Sequence, residues 1–145
     1  MMRVRISVLL LALAMAFTLL AGCGQKEEPV PVEKPDIWTV TGVPVHLDYA
    51  RMYEYGDFVE TDDPELIGQI AGAVQSIEVG EPSEEATTDF TDFLTFTFED
   101  GTTVSYEFEG PVWITEDGDR YEVSGLGALR RVLNEWYKSS TEEGE

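Results

Sequence analysis

The most regular alternation of hydrophobic and polar residues lies between residues 93 and 108. Six large apolar side chains occupy every second position on either side of one dipeptide: Leu94, Phe96, Phe98, Val104, Tyr106 and Phe108. A period of two is typical of strands with one buried face, because successive side chains point to opposite sides. The dipeptide is Asp100-Gly101, and glycine readily adopts the positive φ angle of a tight hairpin turn. The pattern therefore predicts a β-hairpin over residues 93–108.

Shorter stretches with strand character flank this hairpin. Residues 112–115 and 120–123 predict a second hairpin around Asp117-Gly118. Residues 37–40 and 43–55 predict two strands nearer the amino terminus, the second with apolar residues at alternate positions. The chain thus contains enough strand-forming segments for one sheet.

Helical periodicity begins after residue 62. Asp62 or Asp63 can cap the free amides of a first helical turn. Pro64 lacks an N–H, which does no harm at the first helical position, and Glu65 suits the positive end of the helix dipole. One apolar stripe follows at helical spacing: Leu66, Ile67, Ile70, Val74 and Ile77. Residues 78–89, with five acids, one glycine and one proline, are predicted to form a loop.

A second helix is predicted near the carboxyl terminus, with Ser124 as its cap. Its apolar stripe consists of Leu126, Leu129, Val132, Leu133 and Trp136. The order is then strands, helix, four-strand meander and helix, which favours an antiparallel sheet covered on one side. We expect a small two-layer α+β domain over residues 37–138, with a mostly antiparallel meander sheet and two amphipathic helices on one face. Residues 139–145 are expected to form an acidic disordered tail.

Charge and composition narrow the function classes. The chain of 145 residues has 29 acidic and 9 basic side chains, and its formal net charge is −20. Nucleic-acid binding depends on Lys and Arg that neutralise phosphates, so this class is excluded. The single Cys excludes an internal disulfide and a zinc–thiolate centre, and the single His excludes multi-His metal centres. We expect neither a metal nor a cofactor.

The amino terminus has the layout of a secretory signal. Arg3 and Arg5 precede an uncharged, mostly apolar run over residues 6–20, as in signal peptides. The sequence Leu20-Ala21-Gly22-Cys23 resembles the lipobox of bacterial lipoproteins. The resemblance implies cleavage that removes residues 1–22 as a signal peptide, and attachment of a diacylglyceryl group to the thiol of Cys23. The alternative is an uncleaved amino-terminal anchor with an incidental cysteine.

Lipidation would place the protein on the extracytoplasmic face of the cell membrane. Two or more acyl chains anchor a protein stably, whereas one chain holds it only marginally. Residues 24–36 contain three prolines, four acids and no aromatic residue, a composition that cannot bury enough apolar surface to fold. We expect residues 23–36 to be a lipidated cysteine followed by a disordered tether. This layout is similar to that of small single-domain surface lipoproteins of Gram-positive bacteria.

Candidate catalytic chemistry is sparse. No pattern in the sequence places a nucleophile beside a base, and a lone His in a strand, such as His46, is more often a surface or edge residue than a catalyst. Carboxylates remain as the alternative, since paired acids can perform glycosidase-type chemistry when burial raises the pKa of one of them. The residues to test for a small carboxylate-dependent envelope hydrolase are Asp92, Glu107, Glu109 and Glu122.

Two acid-dense segments, residues 57–65 and 116–119, offer oxygen ligands of the kind that calcium prefers. Neither has the spacing of an EF-hand loop, which places ligands at alternate positions and ends in a Glu. Hairpin geometry accounts for the Asp-Gly sequence in the second segment. A specific calcium site is therefore not expected.

Aromatic residues supply the candidate contact surface. Trp113 falls on the opposite side of its predicted strand from Val112 and Ile114, so we expect it to be exposed or partly covered by a loop. Trp113, Tyr53 and Tyr55 are the candidate contacts for a ligand or partner. The resulting interpretation is a non-catalytic binding module, held at the membrane by its amino-terminal lipid. Its acidic surface favours a cationic protein, peptide or envelope polymer.

Overall fold

The computed structural model describes residues 30–31, 33–51, 58–84 and 90–143. The chain divides into two compact units, Met1–Glu33 and Lys34–Glu145, and every described helix and strand belongs to the second unit. The predicted signal peptide and the lipobox cysteine, Cys23, lie outside the described residues. Tyr53 and Tyr55, two of the three candidate contacts, also lie outside them.

Seven strands and two helices make up the described part of the second unit. In chain order they are β1 (Pro44–Arg51), β2 (Phe58–Thr61), α1 (Pro64–Gln75), β3 (Glu78–Pro82), β4 (Thr91–Phe98), β5 (Thr103–Glu109), β6 (Val112–Ile114), β7 (Arg120–Ser124) and α2 (Leu126–Glu142). The strands form one sheet in the order β2-β1-β4-β5-β6-β7-β3, and every pair is antiparallel. The predicted α+β class with an antiparallel meander is confirmed.

The strongest sequence pattern forms the centre of the sheet. β4 pairs with β5 so that Leu94 lies opposite Tyr106 and Phe96 opposite Val104, which places the apolar residues of both strands on one face. Gly101 has a φ of 84°, and the Asp100 carboxylate accepts a 2.9 Å hydrogen bond from the Thr102 amide. The predicted hairpin is confirmed, because its alternation and its turn chemistry specify the same register.

Both helices pack on the apolar face of this sheet and share one hydrophobic core with it. The side chains that α1 and α2 contribute to the buried core are Ile67, Ile70, Ala71, Val74, Leu126, Leu129, Leu133, Trp136 and Tyr137. They meet the inward side chains of β1, β4 and β5, among them Leu47, Tyr49, Leu94, Phe96 and Phe108. The opposite face of the sheet carries the polar positions of the same strands.

The predicted cap is correct for α1 and wrong for α2. Asp63 caps α1 as expected, and its carboxylate accepts a 3.0 Å hydrogen bond from the Glu65 amide. The prediction that Ser124 caps the second helix is wrong, because Ser124 ends β7 and Gly125, with a φ of 91°, stands at the cap position. α2 also continues to Glu142, so residues 139–142 are helical and the predicted tail over 139–145 is wrong for them.

Two predicted segments outside the central hairpin are wrong. Residues 37–40 form no strand; the Trp38 ring instead packs edge-on against Phe96, with centroids 5.3 Å apart. The predicted loop over residues 78–89 begins with β3, an edge strand in which Val79 pairs with Val123. β3 has the sequence EVGEP, and Glu, Gly and Pro are all depleted in strands, so no sequence pattern marks this segment as one.

The domain also begins earlier than the sequence pattern indicated. The ammonium group of Lys34 lies 2.9 Å from a Glu81 carboxylate oxygen, and Ile37 is buried in the core. Residues 34–36, expected to be the last part of the tether, therefore belong to the second unit.

Candidate functional site

A groove of about 400 Å³ lies beside β5, within the size range of small-ligand sites. β5 spans seven residues, but β6 pairs only with its last three, Glu107, Phe108 and Glu109. Within the described part of the chain, no strand pairs with residues 103–106 on the β6 side, and these residues form one wall of the groove. Residues 35–37 and Thr39 also line the groove.

Aromatic side chains line the interior of this groove. Trp113 and Tyr121 lie opposite each other on β6 and β7, with ring centroids 6.2 Å apart, and Tyr106 lines the groove from β5. The expectation that Trp113 is exposed is wrong, since only 7% of it is accessible. Its cross-strand partner is the buried Phe108, which places it on the helix-covered face. The sequence could not predict which face of the sheet Trp113 occupies, because all three residues of β6 are apolar.

Four carboxylates stand at the rim of the groove: Asp36, Glu116, Asp117 and Asp119. Three of them belong to the predicted hairpin turn, which the structure confirms. The Thr115 amide donates to the Asp119 carbonyl at 2.8 Å, the Asp119 amide donates to the Thr115 hydroxyl at 3.1 Å, and Gly118 has a φ of 87°. The turn therefore holds its acids at the groove in a defined arrangement.

Tyr106, which lines the groove, carries an unusual hydroxyl group. Tyr106 is 3% accessible, and among the described residues its Oη is a buried side-chain oxygen without a hydrogen-bond partner. Burial raises the pKa of this phenol, so the group remains a neutral donor and acceptor. Leaving such a group unpaired costs roughly 1–3 kcal/mol.

A second cluster surrounds Asp92, which is buried at 1% accessibility. Its Oδ1 accepts a 2.8 Å hydrogen bond from the Tyr49 hydroxyl, and its Oδ2 accepts a 3.1 Å hydrogen bond from Nε of Arg130. Nε of Arg51 donates to the Tyr49 oxygen at 3.0 Å. Arg51 also donates to the Asn134 side chain. Both oxygens of the carboxylate are thus engaged by groups of the fold itself.

The four acids considered for hydrolase chemistry do not converge. Asp92 faces the helices, whereas Glu107 and Glu109 pair with Phe93 and Thr91 on the opposite face of the sheet. Burial is the main cause that raises the pKa of Glu107, and the charge of Glu109 raises it further. Arg120 lies 2.9 Å from a Glu109 carboxylate oxygen. Glu122 lies opposite Val112 on the open face as well, so the sheet itself separates Asp92 from the other three.

A third cluster lies on the open face of β1 and β2. His46, Asp48 and Glu60 each offer one possible ligand atom, and these three atoms lie within 4.8 Å of one another. Nδ1 of His46 lies 2.5 Å from Oδ1 of Asp62, and Nε2 lies 3.4 Å from Oδ1 of Asp48. The hydrogen bond to Asp62 is the main cause that raises the pKa of His46. The sequence indicated His46 only as a surface or edge residue.

Sequence reasoning singled out Trp113 in the groove but missed Tyr106, Tyr121 and Asp36. Tyr106 and Tyr121 stood in predicted strands, where an aromatic residue is an ordinary core position, and Asp36 stood in the predicted tether. Comparisons with protein-family models, with curated proteins and with solved structures found no match to this chain. In the described part of the chain, neither helix has the length and apolar character that a membrane span requires.

Proposed function

We propose that this protein is a lipid-anchored, extracytoplasmic binding module that captures a cationic segment of a partner protein or peptide without altering it chemically. The observation that carries the binding role is the groove beside β5, with its aromatic lining and four rim carboxylates. Aromatic faces attract ammonium and guanidinium groups, and carboxylates form charge-assisted hydrogen bonds with them. Lysine and arginine side chains carry the groups that satisfy both requirements.

The sheet edge supports an extended conformation for the bound segment. Residues 103–106 offer main-chain groups on the side that β6 leaves unpaired, and an added peptide strand can hydrogen-bond to such an edge. The rim acids of the 115–119 turn stand next to this edge. A peptide lying along β5 would therefore bring its basic side chains close to these acids.

The anchoring part of the proposal rests on Leu20-Ala21-Gly22-Cys23 and is independent of the groove. Acyl chains on Cys23 would supply membrane affinity at about 0.8 kcal/mol per buried methylene. All 29 acidic side chains lie outside the predicted signal peptide, and their charge would repel other acidic molecules and steer cationic ones towards the anchored domain. Steering by charge weakens as salt is added, because the Debye length shortens.

A pair of designed peptides tests the binding role. We would titrate the untagged full-length protein in detergent with an extended hexapeptide in which Lys and Thr alternate, and with its counterpart that has Gln in place of Lys. We expect the Lys peptide to bind and to shift the amide NMR signals of residues 103–106 and 115–119. The Gln peptide should bind at least tenfold more weakly.

Two double variants with the same charge change separate the groove from the overall field. E116Q/D119N removes two rim charges, whereas E99Q/E135Q removes two exposed charges outside the groove lining. We expect the first to weaken binding of the Lys peptide at least fivefold and the second to change it less than twofold. Equal losses in both variants, or no binding of the Lys peptide, would contradict the groove as the site.

A further inference from the structure

We infer that His46, Asp48 and Glu60 form a binding site for one divalent transition-metal ion of the zinc type on the open face of the sheet. The three side chains come from two adjacent strands, β1 and β2, and their ligand atoms lie within 4.8 Å of one another. This inference goes beyond the proposed function and does not depend on the groove, which involves other strands.

The strand register places the two carboxylates in opposition. Asp48 pairs directly with Glu60 across β1 and β2, and like charges at such positions destabilise a strand pair. The pair is at an edge, because β2 is the outermost strand of the sheet. A bound cation would replace this repulsion by attraction and would tie the four-residue β2 to its neighbour.

The imidazole is oriented as a metal ligand would be. Nδ1 of His46 lies 2.5 Å from the Asp62 carboxylate, so the proton belongs on Nδ1 when the ring is neutral and Nε2 then carries the lone pair. Oδ1 of Asp48 lies 3.4 Å from Nε2. A ligating histidine that donates its other N–H to a carboxylate is the usual arrangement in zinc proteins. Asp62 therefore acts as a positioning residue for His46.

The separation of the first two ligand atoms fits a tetrahedral ion. Nε2 of His46 and Oδ1 of Asp48 are 3.4 Å apart. Two atoms that each lie about 2.0–2.1 Å from a tetrahedral zinc ion are roughly 3.3–3.4 Å apart. The same separation is longer than a good N–H···O hydrogen bond. Rotation of the exposed Glu60 side chain would bring the third ligand to the same point.

The ligand set distinguishes between metals. Calcium takes six to eight oxygen ligands, whereas this site offers one nitrogen and two carboxylates. Imidazole together with carboxylate suits zinc and its neighbours in the first transition row. Three protein ligands leave a fourth position for water, as in zinc sites that are open to solvent.

His46 makes the test direct, because it is the single histidine of the chain. We would record the imidazole ¹⁵N signals of the untagged full-length protein in detergent while adding Zn²⁺. We expect the Nε2 signal to move to a metal-bound position at one equivalent, while Nδ1 keeps its proton. Unchanged Nε2 signals under saturating Zn²⁺ would overturn the inference and would leave His46 as an internal counter-charge for its acidic neighbours.

Matched variants identify the ligands. Calorimetry measures the Zn²⁺ affinity of each variant. We expect it to fall at least tenfold in E60Q, and roughly 10–100-fold in D62N because the positioning carboxylate is lost. It should remain unchanged in E99Q. Circular dichroism of each variant would show that the fold is retained. Equal affinity of all variants for Zn²⁺, or equal affinity of the parent protein for Zn²⁺ and Ca²⁺, would show diffuse binding to the acidic surface and would overturn the site.

Discussion

The hydroxyl of Tyr49 donates a 2.8 Å hydrogen bond to the carboxylate of Asp92, and both side chains are buried between the sheet and the helices. Tyr49 belongs to β1 and Asp92 to β4, whose registers place Tyr49 opposite Leu94. Arg130 from α2 donates to the same carboxylate. A buried charge thus connects two strands and a helix at one end of the domain.

Replacing this carboxylate should destabilise the fold. D92N keeps the size of the side chain but leaves the guanidinium of Arg130 without its counter-charge in a partly buried position. Removing one member of a buried ion pair typically costs about 3–5 kcal/mol. Because Arg130 is partly exposed, we expect D92N to lower the free energy of unfolding by about 3 kcal/mol, the lower end of this range. Urea unfolding followed by circular dichroism measures the change, with E99Q as the exposed control. A loss below about 1 kcal/mol would contradict a structural role for the pair.

Two glycine substitutions should have opposite effects. A Cβ atom at Gly80 in β3 would lie 3.0 Å from the Glu122 carbonyl oxygen, whereas one at Gly68 in α1 would meet nothing within 4 Å. We expect G80A to destabilise the domain by roughly 1–3 kcal/mol, because backbone must move. G68A should stabilise it by about 1 kcal/mol through helix propensity. Thermal unfolding compares the two, and a stabilising G80A would show that β3 is not held against β7 as described.

Glu107 gives a pH-dependent prediction. Burial and the nearby Glu109 raise its folded-state pKa above the ordinary value of 4.5, against the opposing charge of Arg120. The folded state then binds the proton more tightly than the unfolded state, so stability falls as pH rises from 4.5 through the raised pKa. E107Q removes this ionisation. We expect E107Q to be more stable than the parent near neutral pH and equal to it in acid, as measured by urea unfolding at a series of pH values.

That comparison needs a control for the general loss of negative charge. E99Q removes one exposed acid from the turn that follows β4, and we expect a smaller change in stability that does not follow the same pH window. Equal pH profiles for E107Q and E99Q would contradict the burial of Glu107 as the cause.

The anchor is tested by one substitution outside the described residues. C23S removes the thiol that lipidation requires, so we expect the protein to leave the membrane fraction or to remain unprocessed, with loss of acyl labelling. Fractionation of cells and metabolic labelling with a fatty acid measure both effects. C23S that stays membrane-bound with unchanged labelling would contradict the lipoprotein proposal.

Local chemistry was sufficient for the elements whose signals agree with one another. The β4–β5 hairpin has alternation together with an Asp-Gly turn, and α1 has a cap, a proline at its start and one apolar stripe, so the short-range preferences all favour the same structure. β3 and residues 37–40 lack such agreement. Val79 forms an edge strand and Trp38 covers the core because of partners far away in the chain, which no local pattern contains.

The sequence by itself determined the α+β class, the four-strand meander and the start of α1, because these depend on periodicity, turn residues and caps within a few positions. Only the tertiary structure decided which acids and aromatic rings meet. The register of β6 turns Trp113 towards the helix-covered face beside Tyr121, and the pairing of β1 with β2 sets Glu60 opposite Asp48. Such meetings depend on strand order and register over long chain separations, and a shift of one residue would place each side chain on the other face.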